Sequence, residues 1–511
     1  MRMKGITCRI TLCFSILLLA LMILPAHVAS ARPESGPGLL TAYAVTTGTG
    51  QSDEGIPTDP YKTLAHDLAH KDAGIENFNN VYYTSVLPPE PYEVPTESGE
   101  IKHKPITLRL INLIEKEPEI GRLLEKSIAE AKRVNPDKKT NPVQSLSEYY
   151  DYLDQLVEKL PDTQIGSDIH YFCFLVDQPL PELEGKGLYK NSLQFYPPFS
   201  SWMRDFAIAR GTFLDTEKSW SEEIYQQFYN DPRFGLQKGW YESPSNWKTW
   251  NQFFSRYLKT PGARPIASPN DPSIVVSPAD SVPQGIWAID KDSKISVENG
   301  LKVKLATYYH IEDLLGKDSQ YKDAFANGLL THAYLSPTDY HRYHFAVGGT
   351  VKEKKIIQQN VACEAKWNTE TRTYDAIDSI GWQFTQTRGY VIVDTGNYGL
   401  VALIPIGMDL VSSVNFEDNV TVGSIHRKGD MLGTFKFGGS DFIMLFQEKA
   451  GFKMTAPAED KTNYKHILVG EEYGVMNGPS NRLLQNYWWI VLGSVVVFLI
   501  VLGIVYKLRR K

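Results

Sequence analysis

The sequence predicts an α+β fold in which a helical N-terminal domain precedes an antiparallel β-rich domain and a single C-terminal transmembrane helix. Three observations lead to this prediction. Apolar residues recur at helical spacing within residues 101–246. From about Trp247, short strand-like runs separated by glycine turns replace that pattern. A charge-free apolar run over residues 487–506 then precedes the basic C-terminus.

The composition is that of an ordinary globular protein. The 511 residues have room for two or three domains, and 42% are hydrophobic and 22% charged. The net charge of −6 gives no basic surface for nucleic acid, so a nucleic-acid partner is not expected. Beyond the leader only Cys173 and Cys363 remain, which is too few for a disulfide framework or a cysteine-based metal cluster. We predict no metal site, and either one disulfide bridge or two separate buried thiols.

The N-terminal 100 residues divide into two non-catalytic segments. Residues 1–31 have a basic start, a short apolar run and the small residues Ala29, Ser30 and Ala31, which together predict a cleaved secretory signal. An uncleaved anchor is the alternative, but the apolar run is short for a full span. Residues 32–100 are rich in Thr, Gly, Ser and Pro and are predicted to be linker-like.

The domain predicted over residues 101–246 shows helix-start signals. Pro118 is expected to begin a helix, because proline is tolerated in the first helical turn. Ser145 and Glu148 form a capping box for another helix that runs towards Leu160. The aromatic residues of this domain are predicted to be core residues rather than contacts to a cofactor.

The domain predicted over residues 247–478 shows hairpin signals. Asn299-Gly300 and Gly396-Asn397 each separate two strand-like runs, which favours an antiparallel sheet. Two helices are predicted within this domain, at residues 308–315 and 321–330.

The run over residues 487–506 has the length that a bilayer span requires, which is about 20 residues. Tyr487, Trp488 and Tyr506 stand where an aromatic belt would lie, and four Lys or Arg residues follow. The positive-inside rule then predicts a single-pass membrane protein with a cytoplasmic C-terminus and an extracytoplasmic large domain. A buried core helix is the alternative.

The chemistry is expected at Gly438-Gly439-Ser440. Two glycines allow a sharp backbone bend between strand-like runs, and a serine directly after the bend is held at a defined angle. A glycine bulge or turn without chemistry is the alternative. Serine alone is a weak nucleophile and needs a neighbouring base. His344 could take its proton, and Asp280 could hold the imidazole in the right tautomer, as in a Ser-His-Asp triad.

Four stretches, in this order and spacing, resemble the phosphatidylserine decarboxylase family: residues 250–266, 277–280, 339–344 and 428–446. The resemblance covers roughly residues 247–451. The sequence departs from the family pattern at Ser281, where Gly is usual, at Asp441, where Thr is common, and at residues 345–349, which lack the usual Pro and Asp. The helical region also resembles, more loosely, the associated N-terminal domain of a family branch that includes fungal tryptophan decarboxylases.

The resemblance implies a self-processing proenzyme. Ser440 would attack the carbonyl of Gly439, the chain would split there, and Ser440 would become a covalent pyruvoyl group. That group would serve as the electron sink for loss of CO2 from the substrate. His341 would then protonate the substrate Cα. The implied catalytic residues are therefore Asp280, His341, His344 and Ser440, with Gly439 and Ser440 forming the cleavage site.

The function implied by the resemblance is that of a carboxy-lyase converting phosphatidylserine to phosphatidylethanolamine and CO2. The implied partners are a phospholipid and its membrane, the N-terminal fragment left by self-cleavage, and a second copy of the chain in a homodimer. A pyruvoyl-dependent decarboxylase of a free, aromatic amino acid is the alternative. A non-catalytic surface protein is a third reading, against which the retained Asp280, His341, His344 and Ser440 argue.

Overall fold

The computed structural model describes residues 102–163, 166–295, 309–377, 381–408, 410, 413–436, 438, 440–460, 463–478 and 508. All residues but the last form the continuous body discussed below, within the compact unit Ala73–Lys511. The predicted secretory signal, the linker-like segment and the Asn299-Gly300 hairpin turn lie outside the described residues.

The helices are concentrated in the first half of the described chain. They are α1 Pro105–Lys116, α2 Pro118–Val134, α3 Leu146–Leu156, α4 Ser167–Val176, α5 Phe199–Leu214, α6 Glu222–Tyr229, α7 Trp250–Phe254 and α8 Ile311–Leu315. The start predicted at Pro118 is confirmed. Ser145 caps α3 as predicted, since its hydroxyl accepts the backbone N–H of Glu148 at 3.3 Å.

The core of the helical region continues into the β-rich region. Helix α4 is buried on almost every side, and its Tyr171 and Phe174 pack against the ring of Tyr374 at centroid distances of 5.0 and 4.7 Å. The residue Cys363 is buried in the same apolar cluster as Cys173 of α4. The two regions therefore share one continuous core rather than touching through a polar surface.

The second half of the described chain is built from short strands. They are β1 Ile274–Val276, β2 Val282–Ala288, β3 Lys294–Ile295, β4 Tyr309–His310, β5 Leu329–Leu335, β6 Arg342–His344, β7 Gly349–Ile357, β8 Ala365–Asn368, β9 Thr373–Ala376, β10 Arg388–Asp394, β11 Leu400–Gly407, β12 Val414–Phe416, β13 Ile425–His426, β14 Met431–Phe435, β15 Ser440–Phe446, β16 Phe452–Met454 and β17 Glu472–Met476. The hairpin predicted around Gly396 is confirmed as β10 and β11.

A seven-stranded antiparallel sheet in the order β13-β7-β10-β11-β15-β5-β2 carries the site. Every residue of β15 is buried, because β15 pairs with a neighbour on each side and both sheet faces are covered. One face of β15 presents Phe442 and the other Ile443, and these two side chains belong to different apolar clusters. A side chain at the start of β15 is thus removed from solvent whichever face it occupies.

The helix predicted over residues 321–330 is wrong. The structure has turns there, and strand β5 begins at Leu329. Periodicity alone does not separate a short apolar strand from a helical segment. Pairing of β5 with β15 and β2 decides the conformation, because both neighbours come from distant parts of the chain.

The predicted transmembrane helix needs correction. Within the described ranges, no helix has both the length and the apolar character to cross a bilayer. The longest of these helices, α2, has 17 residues and carries acidic and basic side chains, whereas a span needs about 20 mostly apolar residues. The prediction of a single C-terminal transmembrane helix is therefore wrong, and the single-pass membrane localisation that depended on it is wrong as well. The run over residues 487–506 itself lies outside the described residues.

Candidate active site

Ser440 is the first residue of the central strand β15. It pairs with Gly407 on β11 and Leu335 on β5, and its side chain is completely buried. Gly438, two residues earlier, has φ of 110°, which glycine adopts without the strain that a Cβ would cause. Ser440 Oγ makes no hydrogen bond within the described part of the chain. A buried hydroxyl without a partner is costly and needs an explanation, and a catalytic role is one of those known.

His341 also carries a buried polar atom without a partner. Its Nε2 lies 3.1 Å from the carbonyl oxygen of Ser336, so Nε2 must carry the proton and donate it. Its Nδ1 is then the basic nitrogen, and it is buried with no hydrogen bond to any described residue. The ring stacks on Phe254 at a centroid distance of 4.0 Å, which fixes its orientation.

His344 has partners at both ring nitrogens. Its Nδ1 lies 2.9 Å from the carbonyl oxygen of Gly429 and must donate to it. Its Nε2 is therefore the basic nitrogen and accepts the hydroxyl of Tyr340 at 3.2 Å. The Gly429 carbonyl thus sets the tautomer that the sequence analysis assigned to Asp280 to maintain.

Burial keeps both histidines neutral. Burial first, and then the positive charge of Arg256, lower the pKa of His341 to about 3. Burial also lowers the pKa of His344 to about 4, opposed by its hydrogen bond to Gly429 and by the charge of Asp280. At neutral pH each ring therefore has an unprotonated nitrogen.

These pKa values predict a pH dependence of stability. A histidine in the unfolded chain has its ordinary pKa near 6.5, so between about pH 6.5 and pH 4 the unfolded state binds more protons than the folded one. Stability is then full above pH 6.5 and falls as the pH drops.

The variant His341→Gln should reduce the slope of the unfolding free energy against pH by up to about 1.4 kcal/mol per pH unit. Urea unfolding at pH 7, 6 and 5, in a Ser440→Ala background that keeps the chain intact, measures this slope. An unchanged slope would contradict a neutral His341.

Asp280 is held by an arginine instead of an imidazole. The guanidinium of Arg264 contacts both carboxylate oxygens, at 2.9 and 2.5 Å, and both side chains are buried. The backbone N–H of Val469 donates to the same carboxylate at 2.8 Å. The Arg264 guanidinium also lies 5.9 Å from the ring centre of Tyr340. Asp280 is thus linked to His344 through Arg264 and Tyr340, and it acts on that histidine by charge rather than by contact.

Sequence reasoning missed a buried polar cluster beside Ser440. Asp441 Oδ2 lies 2.7 Å from His332 Nε2 and 3.3 Å from Gln383 Nε2. His332 and Asp441 are both essentially inaccessible to solvent. The only sequence signal was Asp441 itself, which departs from the residue common at that position in the family pattern. His332 and Gln383 gave no signal, because neither belongs to a recognised motif.

Comparison with known proteins finds relatives of the part of the chain that contains these site residues. A family model described as phosphatidylserine decarboxylase matches residues 250–475. The phosphatidylserine decarboxylase proenzyme of Clostridium novyi (strain NT) is 30% identical over 275 residues, covering 53% of this chain and 84% of the relative. The chain belongs to the phosphatidylserine decarboxylase family. A further family model, described as pyruvoyl-dependent arginine decarboxylase, matches residues 42–117.

Other relatives of this decarboxylase differ in how much of their length they share with it. The phosphatidylserine decarboxylase proenzyme 2 of Oryza sativa subsp. japonica is 35% identical over 243 residues, which is 47% of this chain but only 36% of the relative. The decarboxylase iboD of Amanita muscaria (strain Koide BX008) is 28% identical over 357 residues, which is 62% of this chain and 97% of the relative. That last match extends beyond the segment common to the other two.

Family membership makes the protein a carboxy-lyase that is produced as a proenzyme and carries a covalently bound pyruvoyl group. The site fits a group of that origin. Ser440 lies where a strand leaves a glycine bend, its Oγ is buried without a partner, and the basic Nδ1 of His341 is buried without one as well. Within the described residues both atoms are unpaired, as the roles predicted for Ser440 and His341 require.

Proposed function

We propose that the chain cleaves itself between Gly439 and Ser440 and then decarboxylates phosphatidylserine to phosphatidylethanolamine and CO2. The observation that carries the proposal is the buried Ser440 Oγ, which has no hydrogen-bond partner within the described ranges, at the first residue of the central strand. The names of the family and of its bacterial and plant relatives support this substrate.

Each site residue has one proposed task in processing. Ser440 Oγ attacks the Gly439 carbonyl, and His344 Nε2 takes the hydroxyl proton after exchanging Tyr340 for Ser440 as its donor. The carbonyl of Gly429 keeps that nitrogen unprotonated beforehand, because it binds the proton on Nδ1. The buried Asp280–Arg264 pair holds Tyr340 and the adjoining loop in place.

His341 is proposed to act in the decarboxylation itself. The pyruvoyl group supplies the electron sink for loss of CO2. A proton must then reach the substrate Cα, and the neutral, buried His341 Nδ1 could take one from the ammonium group of the incoming substrate and return it to Cα. Stacking on Phe254 holds the ring so that this nitrogen keeps one direction.

A second candidate is decarboxylation of a free amino acid. The Amanita muscaria relative leaves it open, because its name gives a decarboxylase without naming phosphatidylserine, and that match covers 97% of the relative and 62% of this chain. The shared core between the helical and β-rich regions also supports a function for the helical region in the catalytic unit.

A substrate comparison tests the proposed function. We expect the processed enzyme to release CO2 from dihexanoyl phosphatidylserine at least about 100-fold more efficiently, as kcat/KM, than from free tryptophan or free serine. The Ser440→Ala protein serves as the blank for uncatalysed release. Turnover of a free amino acid with none of the phospholipid would reject phosphatidylserine as the substrate and favour the second candidate.

A further inference from the structure

Asp441 carries a buried carboxylate oxygen that the processing chemistry does not use. Its Oδ2 receives the two donors described above, from His332 and Gln383, whereas Oδ1 is inaccessible and has no hydrogen bond within the part of the chain that the structure describes. A carboxylate needs donors at both oxygens when it is removed from water. Among the described residues Oδ1 is therefore unpaired, and a cationic donor would satisfy it.

The position of Asp441 in the sheet sets which side that donor would come from. Successive side chains of a strand point to opposite faces, so Asp441 lies on the face of Ile443 and away from Ser440 Oγ. His332 lies on the same face of β5, where it pairs with Ile443 and reaches Asp441 diagonally. Asp441 is nonetheless bonded directly to residue 440, so a group at its carboxylate is adjacent to the reacting position.

A cavity of about 860 Å³ opens on that same face, between the helical region and the sheet. Its wall includes Phe384 and Thr385, which belong to the short turn Trp382–Thr385 that also supplies Gln383. Phe384 packs in the same apolar cluster as Ile443. Within this turn, Gln383 therefore contacts Asp441, and the residue after it, Phe384, lines the cavity.

The cavity wall would suit a ligand that is anionic and partly apolar. Its cations are Arg204, Lys317 and Arg388, and the first two make no salt bridge with any described residue. Its acidic residues already have partners, because Glu312 pairs with Lys322 and Asp313 accepts the backbone N–H of His310. Tyr309 and Phe384 stack on each other at a centroid distance of 4.9 Å and give the wall an apolar patch. A ligand with an ammonium group at one end and an anionic group behind it matches the carboxylate and the cations together.

We propose that Asp441 binds the ammonium group of the substrate beside residue 440, and that the substrate reaches it from this cavity. His332 and Gln383 are positioning residues, because they hold the carboxylate and touch no substrate. The inference rests on the proposed function in that it requires a substrate with a primary amine, which phosphatidylserine and a free amino acid both have.

Two variants test the carboxylate. Asp441→Asn keeps the shape and removes the charge, and Asp441→Thr introduces the residue common in the family pattern, in case the first variant does not fold. Both should self-process like the parent, because the Asp441 side chain lies on the other face of β15 from Ser440 Oγ.

In both variants KM for dihexanoyl phosphatidylserine should rise at least about 10-fold, since a buried charge pair is lost, while kcat changes less than about 3-fold. Asp394→Asn, at the end of β10 in the same sheet, is the matched control.

Matched ligands isolate the ammonium group. By calorimetry, dihexanoyl phosphatidylethanolamine should bind Asp441→Asn at least about 10-fold more weakly than the parent, whereas dihexanoyl phosphatidylglycerol, which has no ammonium, should bind both equally. Equal weakening of the two ligands, unchanged KM, or blocked processing in both variants would overturn the inference. Failure of the proposed function looks different, because the parent itself would not turn over phosphatidylserine. Tryptamine and tryptophol then replace the lipid pair, with the same expected contrast.

The approach through the cavity has its own test. Ser201 lines the cavity from helix α5, so Ser201→Trp should fill part of it and raise KM at least about 5-fold without changing processing, because substrate sites depend on open volume. Ser245→Trp, on an exposed turn away from the cavity, is the control. Equal KM values in the two variants would overturn this route.

Discussion

Replacing Ser440 by alanine is expected to leave the chain at full length, with no pyruvoyl group and no decarboxylase activity. The parent should separate into two fragments, the smaller comprising residues 440–511, because Ser440 Oγ is the nucleophile that opens the Gly439–Ser440 bond. Removal of the nucleophile eliminates covalent catalysis outright instead of slowing it. Intact-mass analysis and carbonyl reactivity of the purified protein measure both expectations.

Ser413 provides the matched control for this experiment. It is also a fully buried serine, but its Oγ has two partners, because it donates to the carbonyl of Lys436 at 3.1 Å and accepts the N–H of the same residue at 3.0 Å. Ser413→Ala should cost stability and still self-cleave. Cleavage of Ser440→Ala at the same bond would contradict the serine mechanism, and an intact Ser413→Ala protein would show that local packing rather than the nucleophile controls the split.

The two histidines are expected to act in different steps, His344 in self-cleavage and His341 in decarboxylation. His344→Ala should block cleavage, because it removes the nitrogen whose tautomer the Gly429 carbonyl sets. His341→Ala should cleave normally and lower kcat for CO2 release by about 10²- to 10⁴-fold, the range typical of a lost acid–base group. A gel of processing and a CO2-release assay on the same preparations measure the two effects side by side.

Tyr340→Phe is the control for the histidine pair. It removes the hydroxyl that occupies His344 Nε2 and retains the buried ring. Cleavage should be as fast as in the parent or faster, since the Ser440 hydroxyl no longer competes with the Tyr340 hydroxyl for His344 Nε2. Slower cleavage in Tyr340→Phe would show that the tyrosine hydroxyl takes part in the reaction. If His341→Ala blocked cleavage and His344→Ala cleaved normally, the roles of the two histidines would be the reverse of those proposed.

Local features were predictable from sequence because neighbouring residues determine them. Pro118 and Ser145 act within one helical turn, and the glycine turn at Gly396 acts within one hairpin. The helix starts and the hairpin depend on contacts a few residues apart, which the order of the amino acids alone constrains. The residues of the candidate site were predicted differently, from the resemblance of short motifs around His341 and Ser440 to those of a known family.

Predictions that required distant partners did worse. Strand β5 was predicted as a helix because its apolar run is short, and pairing with β15 and β2 decides its conformation. The contact of Asp280 was assigned to an imidazole, and the structure gives it to Arg264. A buried carboxylate takes the strongest donor that the fold brings near it, and sequence order does not show which donor that is.

The sequence by itself determined that this protein has a serine after two glycines, two histidines three residues apart and the motifs of a self-processing decarboxylase. Only the tertiary structure decided which polar atoms have partners. The contact of His332 with Asp441 joins residues 109 positions apart, and that of His344 with the Gly429 carbonyl joins residues 85 positions apart. Side chains this distant meet only when antiparallel strands pair in one register, so the tautomers and, among the described residues, the unpaired atoms of Ser440, His341 and Asp441 follow from the folded sheet.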